Sequence, residues 1–470
     1  MRTKRIEMKG VGFRYSEERE KAVQDVDFSI GRGEVVFVSG SSGSGKSTLL
    51  NIINGIIPEV VEGELEGEVW IGGKKDLRIH ERSSVLGNVF QNPRSQFFTT
   101  NSTAELVFEM ENYGFTYEEM DRRLQSIIRD FRAENLLNRE IFRISSGERQ
   151  FLALLSTLII DPEVVIFDEP SANLDYGNAM RLKKQIEKLK SQGKTVLVAD
   201  HRCFYLRGVI DRVLLVEENT VKELGSEKEF MEYDYGKRVF DLFEHEFPKR
   251  EIAASGQAGV QVCGLHYGDI LKDVTLRFNR HEVSTIIGIN GAGKTTLAKL
   301  ISKVLKPDKG EVRGEEQPLY IMQDADFQLF GASCLKELEI TEKEEEKNYE
   351  ALKKLNLWEL RDKHPQTLSG GEKQRLQMAI ALVSPNEVVI LDEPTSGLDK
   401  NSMRRVIEML ELLKESKTII VISHDYEFIR NCSDKIIYIK DAKVADEFYL
   451  EDCNIGRLNQ IYREMENSYE

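Results

Sequence analysis

Two glycine-rich segments, each ending in a lysine and two hydroxyl residues, have the spacing of a phosphate-binding loop. Glycines at these positions let backbone N–H groups turn towards phosphate oxygens, at a helix N-terminus whose dipole favours anions. The lysine would reach the β- and γ-phosphates of a nucleotide, and the first hydroxyl would ligate Mg²⁺. The candidate residues are Gly40, Gly43, Gly45, Lys46, Ser47 and Thr48 in the first segment, and Gly288, Gly291, Gly293, Lys294, Thr295 and Thr296 in the second.

An aspartate and a glutamate follow an apolar run downstream of each loop, as Asp168-Glu169 and Asp392-Glu393. Open parallel sheets bind ligands at the carboxyl ends of their strands, so we expect each pair to lie beside a loop. The aspartates suit a Mg²⁺ contact, because Mg²⁺ prefers oxygen ligands. The glutamates suit positioning or deprotonation of an attacking water.

The elements that must position these residues occur twice along the chain, in the same order. In each copy, short β-branched runs alternate with helical patterns, which predicts parallel sheets built from βαβ units. A charged stretch and a run of small residues separate the copies. We predict a first nucleotide-binding domain over residues 1–225, a linker over 226–258 and a second nucleotide-binding domain over 259–470.

The composition narrows the classes of function. The 470 residues include 65 Lys and Arg against 80 Asp and Glu, a formal charge of −15. This charge disfavours binding to nucleic acid and direct adsorption to an anionic bilayer. The chain carries neither an apolar run long enough to span a membrane nor a secretory signal. Five isolated cysteines fit reduced thiols rather than a disulfide framework or a zinc site.

A serine and glycine segment opens a helical pattern upstream of each acidic pair, as Ser145-Ser146-Gly147 and Ser369-Gly370-Gly371. The remaining motifs are the glutamines Gln91 and Gln323, the histidines His201 and His424, and the upstream tyrosines Tyr15 and Tyr267. Together these motifs closely resemble those of ABC-type ATPases, over nearly the whole chain and twice. The resemblance implies an α/β fold with two P-loop ABC-type nucleotide-binding domains. Each would have a RecA-like parallel-sheet core with antiparallel β and helical subdomains.

The resemblance also implies roles for the remaining motifs. In this family two domains meet head to tail, and each ATP lies between the phosphate loop of one domain and the signature segment of the other. We expect the two domains of this chain to pair in this way. The expected nucleotide contacts include Tyr15 and Tyr267 at adenine, with Ser145, Gly147, Ser369, Gly370 and Gly371 from the signatures. Gln91, Gln323, His201 and His424 would join Glu169 and Glu393 in catalysis, and Ser47, Gln91, Asp168, Thr295, Gln323 and Asp392 would surround Mg²⁺.

Ser146 departs from the family pattern, which has glycine at this position. A Cβ and a hydroxyl stand where backbone should approach phosphate, and we expect a positive φ to be costly there. The site that uses this signature is therefore predicted to be the weaker one.

The glutamine loops indicate what the ATPase is coupled to. Each has a second glutamine five residues on, followed by two apolar residues. This resembles the energy-coupling factor (ECF) importers, which use two such ATPases with an integral membrane coupling subunit and a substrate-binding subunit. The resemblance implies vitamin-precursor or metal-ion uptake, with the chain held at the cytoplasmic membrane face by protein partners. The docking helix of the second copy is less clearly marked in the sequence than that of the first. Alternatives are a fused ATPase of a sugar-type importer and a soluble ribosome-associated tandem ATPase, although the acidic connection between the copies disfavours the latter.

Overall fold

The computed structural model describes residues 4–16, 18–75, 77–233, 239–248, 256–314 and 317–468. Its contacts divide the chain into two compact units. Unit one comprises Met1–Leu174 and Asn178–Asp241, and unit two comprises Asp175–Gly177 and Leu242–Glu470. The predicted linker over residues 226–258 stays a prediction, because residues 234–238 and 249–255 lie outside the described residues.

Two sheets form unit one. A four-stranded antiparallel sheet has the order β2-β1-β4-β5, and a six-stranded sheet has the order β10-β9-β3-β8-β7-β6. All neighbours in the larger sheet are parallel except β10, which pairs antiparallel with β9. The strands are β1 (Lys4–Tyr15), β2 (Val23–Gly31), β3 (Val35–Gly40), β4 (Gly63–Ile71), β5 (Lys74–Lys75), β6 (Leu86–Val89), β7 (Val164–Asp168), β8 (Thr195–Ala199), β9 (Arg212–Glu217) and β10 (Thr220–Leu224).

Helices cover the larger sheet of unit one. Strand β3 is buried along its whole length, and its side chains alternate between two apolar clusters: Val35 and Phe37 in one, Val36 and Val38 in the other. This is the pattern of a parallel strand covered on both faces. The helices are α1 (Lys46–Asn54), α2 (Ile56–Glu59), α3 (Ile79–Arg82), α4 (Ser102–Asn112), α5 (Tyr117–Phe131), α6 (Ser146–Leu158), α7 (Tyr176–Ser191) and α8 (Glu227–Tyr233).

Unit two repeats this plan. A three-stranded antiparallel sheet has the order β12-β11-β14, and a six-stranded sheet has the order β15-β16-β17-β13-β18-β19, again with only the last pair antiparallel. Its strands are β11 (Ala258–Tyr267), β12 (Leu271–Asn279), β13 (Val283–Ile287), β14 (Lys309–Gly314), β15 (Leu319–Ile321), β16 (Val388–Asp392), β17 (Thr418–Ile422), β18 (Lys435–Lys440) and β19 (Lys443–Tyr449). Its helices are α9 (Lys294–Ile301), α10 (Cys334–Thr341), α11 (Glu345–Lys354), α12 (Gly370–Val383), α13 (Lys400–Lys414), α14 (Tyr426–Cys432) and α15 (Ile455–Asn467).

The two sheet orders confirm the predicted fold class. In each unit the strand before the phosphate-binding loop lies at the centre of the parallel sheet, and the acidic strand lies two places away. None of the described helices combines the length and the apolar character needed to cross a bilayer.

Candidate functional site

The first phosphate-binding loop joins the end of strand β3 to the start of helix α1. Gly45 caps the helix with φ 101°. A Cβ at this glycine would stand 2.5 Å from the carbonyl oxygen of Ala22, so both the space and the backbone angle require glycine. Gly293 caps helix α9 in the same way in unit two, with φ 97°.

The lysine of each loop is buried and turned back over the loop. Lys46 Nζ donates to the carbonyl oxygens of Gly40 at 3.0 Å and Ser41 at 2.8 Å. Lys294 Nζ makes the equivalent bonds to Gly288 and Ile289, at 2.8 and 3.0 Å. Burial lowers the pKa of Lys294, although the nearby Glu393 carboxylate acts in the opposite direction. Each lysine ammonium group therefore lies against the backbone of the glycine-rich loop that the sequence predicts to bind phosphate.

The acidic residues of unit one lie at the carboxyl end of strand β7. Glu169 follows the strand with φ 45°, a left-handed conformation that is uncommon for a residue with a side chain. Its Oε2 accepts from Gln91 Nε2 at 2.5 Å, and its Oε1 lies 3.1 Å from His201 Nε2. Burial and the Glu169 charge raise the pKa of Asp168 to about 6, against the opposing charge of Lys46. The structure thus brings five predicted site residues of unit one close together: Lys46, Gln91, Asp168, Glu169 and His201.

The corresponding site in unit two has a different set of contacts. Glu393 also has a positive φ, 50°, and its Oε1 lies 2.8 Å from Nδ1 of His424. Asp392 accepts a 2.7 Å hydrogen bond from the hydroxyl of Tyr320. Burial raises the pKa of Asp392, and the bond from Tyr320 opposes the rise.

Tyr320 is a site residue that the sequence reasoning missed. It lies on strand β15, where it pairs in register with Ile390, two residues before Asp392. The position is three residues before Gln323, and the same position before Gln91 is occupied by Asn88. A comparison of the two copies around their glutamines would have found this difference.

The predicted adenine-stacking tyrosines stay predictions. The Tyr15 hydroxyl is hydrogen-bonded to Thr48 Oγ1 at 2.8 Å, and the ring packs edge-on against Phe13. Tyr15 therefore contacts the helix that begins at the phosphate loop. Tyr267 ends strand β11 and is half-buried.

The signature serines cap helices. Ser145 caps α6 in a reciprocal arrangement with Glu148: Ser145 N donates to the Glu148 carboxylate at 2.8 Å, and Glu148 N donates to Ser145 Oγ at 3.2 Å. At the start of α12, the backbone N and the hydroxyl of Ser369 both donate to the Glu372 carboxylate, each at 2.8 Å. The other backbone N–H groups in the first turn of each helix have no carbonyl partner within the helix.

The backbone cost expected at Ser146 is wrong. Ser146 is the first residue of helix α6, and neither it nor its counterpart Gly370 has a positive φ. A Cβ at Gly370 would meet no atom within 4 Å. The helical conformation therefore accommodates serine without backbone strain, and the Ser146 side chain is the difference between the two signatures at this position.

Comparisons with known proteins agree with this geometry. The sequence model of a family described as "ABC transporter" matches residues 23–172 and 271–396. A putative ABC transporter ATP-binding protein of Treponema denticola is 34% identical, over 98% of this chain and 99% of the relative. A putative HMP/thiamine import ATP-binding protein of Bacillus subtilis, YkoD, is 28% identical, over 93% of this chain and 88% of the relative.

Solved structures share the fold of the whole chain. The crystal structure of a complex of archaeal ribosomal stalk protein aP1 and archaeal ribosome recycling factor aABCE1 matches with a TM-score of 0.67 at 22% identity, over 96% of this chain and 92% of the other. A structure of RNase-L inhibitor matches with a TM-score of 0.63, also at 22% identity, over 96% and 92%. At this level of identity the likeness shows the fold alone.

Proposed function

The chain belongs to the ABC transporter family as a tandem ABC ATPase, and on that premise we propose that it is the energy-coupling subunit of a membrane importer of the ECF type. It would hydrolyse ATP and pass the resulting domain movement to an integral coupling subunit, which acts with a separate substrate-binding subunit. The chain would then work at the cytoplasmic face of the membrane, held there by protein partners.

The observation that carries this proposal is an exposed phenylalanine at the same place in both units. Phe98 and Phe330 are each 77% exposed, and each lies seven residues after the glutamine of its loop. The Phe98 ring stacks on Phe108 of helix α4, with centroids 5.0 Å apart. Exposed aromatic side chains of this size indicate a contact surface for another protein.

The same hydrogen bonds hold this surface in each unit. Glu105 Oε2 accepts from the backbone N of Phe98 at 3.1 Å and of Thr99 at 2.8 Å. In unit two, Glu337 Oε2 accepts from the backbone N of Phe330 at 2.8 Å and from that of Gly331. We propose helix α10, which carries Glu337, as the docking helix of the second copy, which is less clearly marked in the sequence. A surface fixed before binding loses less entropy when a partner docks.

The second glutamine of each loop ties this surface to the sheet. Gln96 Nε2 donates to the carbonyl oxygen of Asn88 on strand β6 at 3.2 Å, and Gln328 Nε2 donates to that of Tyr320 on β15 at 3.0 Å. In unit one the neighbouring Gln91 contacts Glu169. A partner bound at Phe98 would thus be connected to the hydrolytic glutamate through one short loop.

The likeness to YkoD supports import of a vitamin precursor, since that relative's name refers to HMP and thiamine. A metal ion also fits the ECF type. The likeness to ribosome-associated proteins is one of fold at 21–22% identity. The charge of −15 supports protein partners rather than RNA.

The chemistry that we propose for each site uses the residues already placed. The glutamate takes the proton of the attacking water, while the histidine and, in unit one, Gln91 fix the direction of its carboxylate. The buried lysine binds the β- and γ-phosphates in the loop. Carboxylate and hydroxyl oxygens at the loop match the ligands that Mg²⁺ prefers, and the ion would supply positive charge to the phosphates. These oxygens belong to Ser47 and Asp168 in the first unit and to Thr295 and Asp392 in the second.

Co-purification from membranes tests the proposal. We expect a tagged chain to recover integral membrane proteins, and the double variant Phe98→Ser/Phe330→Ser to lose at least about nine-tenths of them, because hot-spot aromatics dominate such contacts. The matched control is Val60→Ser/Val304→Ser, which alters one exposed apolar residue of similar exposure in each unit, 69% and 62%. Recovery of ribosomes without an integral membrane protein would overturn the transport proposal.

A further inference from the structure

Asp200, directly before His201, is a buried aspartate of unit one. The residue is 2% exposed and follows strand β8. The last residue of that strand, Ala199, pairs in register with Asp168 at the end of strand β7. The carbonyl oxygen of Ala199 also accepts from the backbone N of Glu169 at 2.7 Å. The backbone at Asp200 is therefore a close neighbour of the segment that carries the glutamate.

Three donors from different parts of unit one hold the Asp200 carboxylate. Its Oδ2 accepts from the backbone N of Ser171 at 3.2 Å and from the Tyr205 hydroxyl at 2.8 Å. Its Oδ1 accepts from the backbone N of Arg202 at 3.1 Å. Ser171 lies two residues after the glutamate of the site, and Arg202 directly follows the histidine. One carboxylate thus joins the two segments that carry the glutamate and the histidine.

The Tyr205 hydroxyl completes this arrangement as a donor. Tyr205 is fully buried, and burial together with the Asp200 charge raises the pKa of Tyr205 well above its ordinary value. The phenol therefore keeps its proton at neutral pH and donates it to the carboxylate. A buried carboxylate is costly unless donors surround it, and hydrogen bonds to a charged group are roughly twice as strong as those between neutral groups.

The corresponding place in unit two has no carboxylate. Ser423 stands where unit one has Asp200, and Phe428 stands where unit one has Tyr205. The Ser423 hydroxyl accepts from the backbone N of Asp425 at 3.1 Å, a bond within the loop of the histidine itself. Among the residues described for unit two, the Ser423 side chain makes no bond to the segment after the glutamate. The fold of such a unit therefore does not depend on an aspartate and a tyrosine here.

Helix α15 holds the histidine of unit two instead. The hydroxyl of Tyr462, on this helix, donates to the backbone carbonyl oxygen of His424 at 3.0 Å. Tyr462 is 1% exposed, so this contact is also buried. The two units thus fix the loops of their histidines with different buried contacts.

We propose that Asp200 is a positioning residue that holds Glu169 and His201 in place for ATP hydrolysis. Because its carboxylate bonds to backbone on both sides, it fixes the spacing of the two segments. That spacing sets the 3.1 Å distance between Glu169 Oε1 and His201 Nε2. A small misplacement of a reacting group can lower a rate about 100-fold. The inference rests on the role proposed for Glu169 and is independent of the transport proposal.

Steady-state ATPase kinetics of the full-length chain test the inference. The double variant Asp200→Ser/Tyr205→Phe gives unit one the two residues that unit two already has at these positions. We expect kcat to fall about threefold or more, towards the value of Glu169→Gln, because the glutamate is less well placed. The KM for MgATP should stay within about twofold, since no proposed nucleotide contact is altered.

The same double variant in a Glu169→Gln background separates positioning from a general loss of structure. If Asp200 acts through Glu169, the added changes should not lower kcat further, whereas a general structural defect would lower it again. Asp200→Asn, which keeps the size of the side chain, should act like the double variant if that variant melts at a much lower temperature. The control is Asp211→Asn, because Asp211 accepts from the backbone N of Val35 at 2.9 Å, at the start of strand β3. It should leave kcat unchanged.

Three results would overturn the inference. The first is an unchanged kcat in both Asp200 variants, and the second is a raised KM at constant kcat. The third is an equal fold loss with and without Glu169→Gln. An unchanged kcat in Glu169→Gln alone would refute the role of Glu169, and the inference with it, and this result is distinguishable from the other three.

Discussion

At the scale of single residues, the two glutamates after the acidic strands share a left-handed backbone but have different contacts. Both carboxylate oxygens of Glu169 are engaged, one by Gln91 and one by His201. Glu393 is held by His424, and its aspartate neighbour by Tyr320. Strained residues held by their surroundings are common where chemistry occurs. The difference in contacts gives a physical basis for two sites of unequal activity.

We predict that Glu169→Gln lowers steady-state ATPase activity more than Glu393→Gln. Glu169 would serve the ATP that faces the signature with two glycines, whereas Glu393 would serve the ATP that faces Ser146. Loss of a general base typically costs 10²–10⁴-fold, so we expect about 100-fold or more at the site that is altered. Phosphate release by the purified chain at saturating MgATP measures this.

The control for both variants is Glu163→Gln, at the opposite end of strand β7, where the side chain is 47% exposed. It should leave activity unchanged. Equal losses in Glu169→Gln and Glu393→Gln would contradict unequal sites.

Tyr320→Phe should weaken the binding of a divalent ion at the second site. The variant removes one hydrogen bond to the Asp392 carboxylate, and bonds to a charged group contribute about 1.5–3 kcal/mol. We expect the Mn²⁺ concentration for half-maximal binding, followed by electron paramagnetic resonance with a non-hydrolysable nucleotide, to rise about tenfold at one of the two sites. Tyr349→Phe is the matched control, since it removes a hydroxyl bond to exposed Glu345. Identical Mn²⁺ binding in the two variants would contradict a positioning role for Tyr320.

At the scale of elements, the structural features that depend on local sequence patterns were predictable. The phosphate loops, the acidic strand ends and the helix-opening signatures all depend on residues close in sequence. The contacts that cross elements were not predictable. The bond from Glu105 of α4 to the backbone of Phe98, and the register that brings Tyr320 to Asp392, depend on how helices and strands pack. The positive φ expected at Ser146 was wrong for a related reason: the reciprocal cap between Ser145 and Glu148 places Ser146 in the first turn of helix α6.

Helix α4 gives a prediction of pH dependence. Burial raises the pKa of Glu109 to about 7. Since the folded chain holds this proton more tightly than the unfolded chain, the contribution of Glu109 to stability is fully present below about pH 4.5 and is lost as pH rises to about 7. Glu109→Gln mimics the protonated form. We therefore expect the variant to melt a few degrees higher than the unaltered chain at pH 8 and at the same temperature at pH 4.5.

Scanning calorimetry or circular dichroism at both pH values measures the effect. Glu118→Gln, at the first turn of helix α5 and exposed, is the control and should show no such difference between the two pH values. An equal shift of the Glu109→Gln melting temperature at both pH values would contradict burial of a protonated carboxyl at this position.

At the scale of the whole molecule, one ABC plan is used twice with the same sheet order and different local chemistry. The repeated features are the phosphate loop, the acidic strand, the capped signature helix and the exposed phenylalanine held by a glutamate. The features that differ are the hydrogen-bond partner of the aspartate that ends the acidic strand and the residue at Ser146 or Gly370. We expect the two units of such a duplicated ATPase to attach to a membrane partner through matching surfaces. We expect their two sites to hydrolyse ATP at unequal rates.

The most direct test of energy coupling is the ATPase activity of the chain with and without the membrane partners that we propose. Activity is measured for the purified chain alone and for the complex recovered from membranes and returned to lipid vesicles. Energy coupling predicts that the complex has a several-fold different activity per chain, that Phe98→Ser/Phe330→Ser prevents the change, and that Val60→Ser/Val304→Ser does not. The same activity per chain in both preparations, or a change that survives loss of both phenylalanines, would contradict it.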